Sequence, residues 1–549
     1  MSSNEPIDHN SPPFPSRSGS SMMINVSLEG LHTVEDHARF IADQSRCVPF
    51  LNNLSQMTTD RCGVGQATIN ILSDDALLCV FDFYVSQTSG VEAWHTLVHV
   101  CRRWRILVFG SPRRLNLRIA CTDETSVKEK LDVWPALPIV ISGTIIKASP
   151  SLDNIKAALE YHDRVCQIKL FFSRCELEDI IESLEEPFPI LTDLDLGAVA
   201  FYRPFNTDLS NFLGGSAQLR SLILRGIRIP DFLTLLLCIP NLVILRIDGI
   251  RNSGPFLQDE LVTGLSTLTR LEQLDLRFEF GRPRPDLEHR SLPPLTRTAL
   301  PSLTALRVRG DTENLEDFIA RIDAPLLDQL CILFSYSALD RIIVLDTPHL
   351  LRFINRIPKL RAPEKANIGF NNGEFLTWIN FFYSTRVSHR VLRLEIFCIE
   401  PERQFPCLAQ FCRSPLFPLH PLESLCIGEG QFSQQRQRRH TENSRWLKLL
   451  QPFTAVKNLY LTKGFALDIA HALQELVGEG VMEVLPNLEE VFIDKSQPSG
   501  PVHEVIKEFV DARKLAGHPI VISWWGIKNA GQTSIIDNVS VRHQLFCFC

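Results

Sequence analysis

A six-residue aliphatic pattern recurs through most of this chain. In each copy three aliphatic residues follow the spacing L-x-x-L-x-L, usually just after a proline or a small polar residue. Clear copies begin at Leu191, Leu219, Leu242, Leu271, Leu303, Leu327, Val391, Leu422, Val456 and Leu488, and a degenerate copy begins at Val165. Apart from one gap after Leu327, the copies are spaced by roughly 23 to 34 residues, as in stacked repeat units. The pattern therefore predicts a solenoid instead of a single compact core.

Each copy predicts a short strand whose alternate side chains point inward, followed by a returning helix. Segments 233–238, 315–322 and 469–477 have the composition of such helices. One unit cannot bury its apolar face alone, so stacked neighbours supply the core and the aliphatic residues are structural. The pattern resembles irregular leucine-rich repeats, although Arg225-Gly226 and Asp248-Gly249 stand where stricter forms have asparagine or cysteine. The resemblance implies parallel strands on a concave face and helices on a convex face.

One stretch interrupts the pattern. Residues 347–387 contain Trp378, Phe381, Phe382 and Tyr383 and carry no clear copy. The stretch is either a distorted repeat or an insertion, and its aromatic residues either pack in the core or form an exposed binding patch.

Alternate strand positions between the aliphatic residues face away from the core and form a mixed-charge surface. Because arginine pairs well with carboxylates and phosphates, a basic strip in the middle repeats is a candidate site for an acidic or phosphorylated protein substrate. The strip consists of Arg225, Arg246, Arg277, Arg307 and Arg309. Surface charge also serves solubility alone, and that interpretation stays open.

Residues 71–104 carry more large apolar residues than a small helical unit can bury. Ser73 is placed as the N-cap of a helix, with Asp74 and Asp75 in the first turn, where the helix dipole favours negative charge. Two apolar stripes follow at helical spacing. They consist of Leu77, Leu78, Phe81 and Val85, and of Trp94, Leu97, Val98, Cys101, Trp104 and Val108.

This segment resembles an F-box, the helical adaptor-binding module of substrate receptors in Skp–cullin–F-box ubiquitin ligases. The family pattern runs roughly Leu-Pro-x-Glu/Asp-x-Leu, then an apolar stretch with Phe, then Val-Cys-Arg/Lys-x-Trp. The matching residues here are Leu72, Asp75, Leu78, Phe81, Val100, Cys101, Arg103 and Trp104. The chain departs from the family in having Ser73 where proline is usual, and in the polar loop 86–90.

The resemblance implies that the module binds a Skp-type adaptor and, through it, cullin and RING subunits, while the repeats bind an unknown protein substrate. The implied adaptor-binding residues are Leu72, Asp75, Leu78, Phe81, Trp94, Leu97, Val100, Cys101 and Trp104. The alternative is a helical hairpin that caps a leucine-rich-repeat interaction scaffold with no ligase role.

The expected fold is a small helical F-box module followed by an irregular leucine-rich-repeat solenoid, an α plus α/β architecture. The expected divisions are a mostly disordered segment at 1–60, the F-box-like module at 66–118, a linker at 119–160, the solenoid at 161–525 and a tail at 526–549.

Strands are predicted near 115–119 and at the Ile-Val-Ile run that begins at Ile139. Segment 431–445 is predicted to be a polar, basic loop. The final Cys547-Phe548-Cys549 formally matches a prenylation signal, with nothing else in the chain to support it.

Composition argues against several partner classes. The net charge is −7, which argues against nucleic acid, since phosphate binding relies on clustered Lys and Arg. No signal peptide is visible and the most apolar run, 232–239, is too short to cross a bilayer. We therefore expect an intracellular protein of the cytoplasm or nucleus that does not bind membranes. The 15 cysteines are scattered and are expected to be reduced core residues.

Neither a metal nor a cofactor is expected. Cys407, Cys412, His420 and Cys426 lie near one another in sequence, but their spacing fits no zinc template. The chain lacks the hydrolase, metalloprotease, dinucleotide-binding and kinase motifs, so no catalytic residue is predicted. A non-catalytic ligase receptor and a repeat scaffold remain the two hypotheses, with an enzyme on a repeat frame a distant third.

Overall fold

The computed structural model describes two compact units, which divide between Arg118 and Ile119. The described residues are 72–525 except 89, 125, 146–149, 173–179, 181–186, 199–204, 207–216, 229–231, 251–256, 279–296, 336–346, 372–375, 384–389, 398–400, 415–416, 418, 430–441, 463, 479 and 496–498. The predicted disordered segment 1–60, the tail 526–549 with Cys547-Phe548-Cys549, and most of the predicted loop 431–445 lie outside them. No described helix is both long and apolar enough to cross a lipid bilayer.

Three helices lie in the described part of the first unit, α1 (Asp74–Gln87), α2 (Trp94–Val98) and α3 (Arg102–Gly110). Ser73 is the N-cap of α1, as predicted, and its side chain accepts a hydrogen bond from the backbone N–H of Ala76. Ser73 therefore stabilises the start of the helix directly.

The second predicted stripe is divided between two helices. Cys101 has extended backbone angles (φ −158°, ψ 171°), which end one helix and begin the next. Arg105 donates a hydrogen bond to the carbonyl oxygen of Val98 (3.0 Å), one of the carbonyls left without a partner at the end of α2. The second predicted stripe thus lies on two helices with a turn between them, and the break leaves Cys101 exposed and outside the buried stripe.

The second unit is a leucine-rich-repeat-like solenoid built on a 16-stranded sheet. In sequence order its strands are β1 (Ile119–Thr122), β2 (Ile139–Ile145), β3 (Val165–Phe172), β4 (Asp193–Ala198), β6 (Ser221–Arg225), β8 (Ile244–Ile250), β9 (Gln273–Phe278), β11 (Ala305–Gly310), β13 (Gln329–Ser335), β14 (Lys365–Asn371), β15 (Leu376–Tyr383), β16 (Arg390–Phe397), β17 (Ser424–Glu429), β18 (Asn458–Leu461), β19 (Glu490–Asp494) and β20 (Val521–Trp525). Two short parallel pairs lie beside it, β5 (Phe205–Asn206) with β7 (Ile227–Arg228) and β10 (Thr298–Ala299) with β12 (Ile322–Asp323).

Helices connect most of these strands. They are α4 (Val127–Val133), α5 (Pro150–Leu159), α6 (Phe232–Leu237), α7 (Leu257–Ser266), α8 (Thr312–Ala320), α9 (Pro348–Arg356), α10 (Pro401–Cys412), α11 (Asn443–Leu450), α12 (Ala466–Gln474) and α13 (Ser499–Leu515), with a 3₁₀ turn at Pro358–Leu360. The three returning helices predicted from composition correspond to α6, α8 and α12.

Every predicted copy of the pattern is a strand of the main sheet. The middle aliphatic residue of each copy is at most 2% exposed, from Ile168 in the first copy to Val491 in the last. From β3 to β13 these residues lie opposite one another in register, so each repeat stacks its leucine on that of the next. At β16 the register shifts, because Leu392 instead of Leu394 lies opposite Leu330.

The interruption at 347–387 is an insertion in the sheet. β14, β15 and β16 form an antiparallel meander, whose outer strands pair in parallel with β17 and β13. Phe381 and Tyr383 are buried on the helix-covered side, whereas Trp378 and Phe382 alternate with them and are half-buried on the other side. Phe381 and Tyr383 thus pack in the core, whereas a binding patch at the half-buried Trp378 and Phe382 stays a prediction.

The predicted linker 119–160 is instead part of the solenoid. β1 and β2 pair in parallel with each other, and β2 pairs in parallel with β3. The strand predicted at 115–119 begins only at Ile119, since Asn116 has a positive φ of 47° that interrupts an extended backbone. The linker prediction is wrong because the apolar run after Pro138 is a buried strand that pairs with the first repeat.

Candidate interaction surfaces

The nine residues implied to bind an adaptor fall into two groups in the helical unit. Leu78, Phe81, Trp94 and Leu97 are buried, with exposed fractions of 8% or less. Leu72 and Trp104 are half-buried, whereas Asp75, Val100 and Cys101 are exposed. The implied set therefore mixes residues that hold the unit together with residues that a partner can reach.

The buried residues are bound within the unit itself. The Phe81 and Trp104 rings lie 4.6 Å apart between centroids, and Trp94 meets Phe109 edge-on at 5.8 Å. The indole Nε1–H of Trp94 donates a hydrogen bond to the carbonyl oxygen of Arg118 (2.9 Å). Trp94 and Phe81 are thus core residues, and a direct contact with a partner is not open to them in this conformation.

A different set of apolar side chains is exposed on the same unit. Val80, Phe83, Val100 and Ile106 are 41–61% exposed. Val80 and Phe83 are three residues apart on α1 and so share one helical face, outside the buried stripe of Leu77, Leu78 and Phe81. Sequence reasoning missed Val80, Phe83 and Ile106 as surface residues, although their positions off the stripe were a readable signal.

An arginine joins the two ends of this segment. Arg103 donates from Nη2 to the backbone oxygen of Leu72 (2.6 Å) and to Oδ1 of Asp74 (2.6 Å). The start of α1 and the start of α3 are therefore held together by residues from both ends of the F-box-like pattern.

In the solenoid, the side of the sheet opposite the buried leucines is called the open face. Two rows of neighbouring side chains cross it from β3 to β16. The first row is Lys169, Asp195, Ile223, Arg246, Asp275, Arg307, Cys331 and Arg393; the second is Phe171, Gly197, Arg225, Asp248, Arg277, Arg309, Leu333 and Glu395. Both rows carry charged residues of both signs, and in the second row two arginines, Arg277 and Arg309, lie side by side.

This arrangement corrects the predicted basic strip. Arg225 forms an ion pair with Asp195 (2.7 Å), and Arg246 lies 3.4 Å from Asp275. The acidic residues come from neighbouring strands, so the sequence of one repeat does not reveal the pairing. All five predicted arginines lie on this surface, which is a ladder of mixed charges in which Arg225 and Arg246 pair with aspartates.

Burial has the largest effect on the pKa values of Asp195 and Asp275, the two aspartates that pair with arginines in this ladder. Burial raises the pKa of Asp195 above its ordinary value, against the opposing charges of Arg225 and Lys169. Burial likewise raises the pKa of Asp275, against the charges of Arg246 and Arg307. The arginines offset only part of the cost of taking these carboxylates out of water.

Arg277 and Arg309 differ from the other arginines of the ladder. They are register partners on the parallel strands β9 and β11, so their side chains leave the same face about 4.8 Å apart. Within the described parts of the chain, neither forms an ion pair. Burial lowers the pKa of Arg309, and the charges of Arg277 and Arg307 lower it further.

The last repeats present aromatic side chains on the open face. The Tyr460 and Phe492 rings are stacked at 4.4 Å with an angle of 6° between them, and Trp525 meets Tyr460 edge-on at 5.9 Å. Sequence reasoning missed this patch, although these residues occupy alternate positions in successive strands. The open face thus changes from charged to aromatic along the solenoid.

A cavity of about 580 Å³ lies between α9, α10 and α11, on the helix-covered side behind the meander. Its lining combines the apolar Leu351 and Phe405 with polar groups that pair among themselves. Arg445 lies 3.3 Å from Glu442. No group of three or more His, Cys, Asp and Glu side chains suited to a metal ion occurs among the described residues.

Comparisons with known proteins do not assign a family. No protein-family model matches the sequence, and no curated protein matches it. A solved structure, the leucine-rich repeat-containing protein LegL7 from Legionella pneumophila, is similar over 72% of this chain and 97% of its own length, at 12% identity and a TM-score of 0.25. The leucine-rich-repeat-like architecture is therefore defined by the strand order and register of the chain itself.

Proposed function

We propose that this protein is a non-catalytic substrate receptor of a Skp–cullin–F-box type ubiquitin ligase. The helical unit holds the Skp-type adaptor, which brings cullin and RING subunits, and the open face of the solenoid holds a protein substrate. Proximity then raises the effective concentration of substrate lysines near a ubiquitin-charged enzyme. The receptor performs no chemistry of its own.

The exposed apolar side chains of the helical unit are the observation that supports an adaptor most. The unit already has a buried core around Phe81 and Trp94, yet Phe83, Val100 and Ile106 are each more than half exposed. Exposed apolar residues on so small a unit are costly unless a partner covers them. The F-box-like pattern, whose two ends are joined by Arg103, indicates that this partner is a Skp-type adaptor.

The test is binding to a purified Skp-type adaptor by the full-length chain, measured by isothermal titration. Phe83→Ser and Ile106→Ser remove exposed side chains only, so both variants are expected to fold. Each should weaken adaptor binding by at least about tenfold, the loss usual for an interface anchor. We choose exposed residues for the test instead of the buried Leu78 and Trp94. Truncation of a core residue would unfold the unit, and the unfolding would look like a loss of adaptor binding.

The matched control is Val133→Ser, since Val133 is 72% exposed and lies in the solenoid. It should leave adaptor affinity unchanged. If the wild-type chain binds no adaptor at micromolar concentration, the ligase role is overturned and the repeat-scaffold alternative stands. That alternative keeps the substrate-binding open face and dispenses with the adaptor.

A further inference from the structure

Three arginines occupy neighbouring positions on the open face. Arg277 and Arg309 are direct register partners, and Arg307 lies two residues before Arg309 on the same face of β11. Their guanidinium groups all remain charged at neutral pH. Like charges at this spacing repel one another, and partial burial strengthens that repulsion.

The nearby carboxylates form ion pairs with other arginines of the open face, and not with Arg277 or Arg309 among the described residues. Arg225 has Asp195, Arg246 has Asp275, and Arg393 forms an ion pair with Glu395 on its own strand. The charges of Glu395 and Asp248 act favourably on Arg309, but their effect is smaller than the repulsion from Arg277 and Arg307. The Arg277–Arg309 pair is thus a local excess of positive charge in a surface that is otherwise balanced.

We propose that Arg277 and Arg309 together bind one oxyanion, a phosphate or a carboxylate, carried by an extended segment of a protein substrate. Two guanidinium forks on neighbouring strands present several parallel N–H donors to an anion placed between them. A bound anion also offsets the electrostatic repulsion between the two guanidinium groups. The inference rests on the proposed function only in taking the open face as the substrate-binding surface.

The surroundings favour a single anionic group over a polyanion. Asp248 is the register partner of Arg277 on β8. Asp275 lies two residues before Arg277 on the same face of β9, and Glu395 lies two strands beyond Arg309. These carboxylates would repel the neighbouring phosphates of a nucleic acid or the neighbouring charges of a polyacidic stretch. A peptide with one anionic residue between neutral ones fits this pattern.

The experiment titrates the full-length protein with three peptides of the form Ac-Gly-Gly-X-Gly-Gly-amide, where X is phosphoserine, glutamate or serine. The wild-type chain should bind the phosphoserine or the glutamate peptide, and the serine peptide at least about tenfold more weakly. A preference for phosphoserine assigns the site to modified substrates, and a preference for glutamate assigns it to acidic ones.

The double variant Arg277→Gln/Arg309→Gln should lose this binding by at least about tenfold. Arg270→Gln is the matched control, since Arg270 is an exposed arginine just before β9 that belongs to neither row of the open face, and the variant should retain the affinity. A melting temperature for the double variant equal to or above that of the wild type is expected, since a repulsive pair has been removed. A purely structural role for the pair would lower it.

Two outcomes would overturn the inference: no binding of either anionic peptide by the wild-type chain, or equal binding by the double variant. Stronger binding of a single-stranded oligonucleotide than of any peptide would also overturn it. The adaptor is absent from this experiment. Adaptor binding without peptide binding therefore defeats this inference alone, whereas peptide binding without adaptor binding defeats only the ligase role.

Discussion

Arg103 at the start of α3 forms a salt bridge with Asp74 at the start of α1, with 2.6 Å between Nη2 and Oδ1. The same guanidinium donates to the backbone oxygen of Leu72. The contact joins residues 29 positions apart. It fixes the start of one helix against the start of another.

Asp74→Asn and Arg103→Gln should show a small coupling in a double-mutant cycle. Asp74 is 62% exposed and Arg103 is 34% exposed, so solvent screens the pair. We expect a coupling free energy of about 0.5–1 kcal/mol at low salt, falling as salt is added. Arg103→Gln alone should cost more than Asp74→Asn, because it also removes the donor to Leu72. Equal costs for the two single variants would contradict this assignment.

Trp94→Ala should unfold the helical unit. Trp94 is fully buried and donates its indole N–H to the Arg118 carbonyl. Truncation of a buried Trp usually costs about 3–5 kcal/mol, which is most of the stability of a small unit. Hydrogen exchange in α1 should therefore lose its protection, while exchange in β8 and β9 of the solenoid is unchanged.

Phe83→Ala provides the comparison on the same unit. Phe83 is 53% exposed, so its removal should change stability by no more than about 0.5 kcal/mol. Persistent protection of α1 in the Trp94→Ala variant would show that the unit does not depend on this residue.

The repeats were predictable because their signal is local. Each strand buries its own aliphatic residues at a spacing of three and then two, so a single copy such as Leu271, Leu274 and Leu276 already indicates a strand and its inward face. Neighbouring copies then predict the stacking. The same local logic located Ser73 as a helix cap.

The errors came from features that depend on neighbours far along the chain. The pairing of Arg246 with Asp275 follows from the register between β8 and β9, which no single repeat encodes. The antiparallel meander has the same alternation of apolar residues as a repeat strand, so Phe381 gave no sign of strand direction. In the helical unit, Trp94 lies on an apolar stripe that a partner or a core could equally cover. Only the packing shows that the core does.

Asp275 should make the stability of the solenoid depend on pH with a particular sign. Burial raises its folded-state pKa above the ordinary 3.8, so the folded protein holds this proton more tightly than the unfolded chain does. The favourable contribution of the protonated group is complete below about pH 3.8 and is lost as the pH rises through the folded-state pKa. The difference in unfolding free energy, wild type minus Asp275→Asn, should therefore fall from acidic pH toward neutral pH.

Urea unfolding of the two proteins at a series of pH values from about 4 to 7 measures this difference, and titrations shared by both proteins cancel. Asp195→Asn should behave with the same sign, because burial also raises the pKa of Asp195. A difference that rises toward neutral pH would mean that Arg246 and Arg307 outweigh the burial of Asp275.

Gly369→Ala should destabilise the meander through Trp378. The two residues are register partners on β14 and β15, and a Cβ at Gly369 would overlap the Cε2 and Cζ2 atoms of the indole. The indole cannot shift freely, because the Arg393 guanidinium lies over its ring at 5.6 Å. Overpacking of this kind typically costs about 1–3 kcal/mol, measurable by urea unfolding.

In a Trp378→Ala background the same glycine substitution should cost almost nothing, since the overlap is gone. Gly90→Ala, where a Cβ would meet nothing within 4 Å, should be close to neutral. An equal cost for Gly369→Ala in both backgrounds would show that the glycine is needed for its backbone and not for the space it leaves to Trp378.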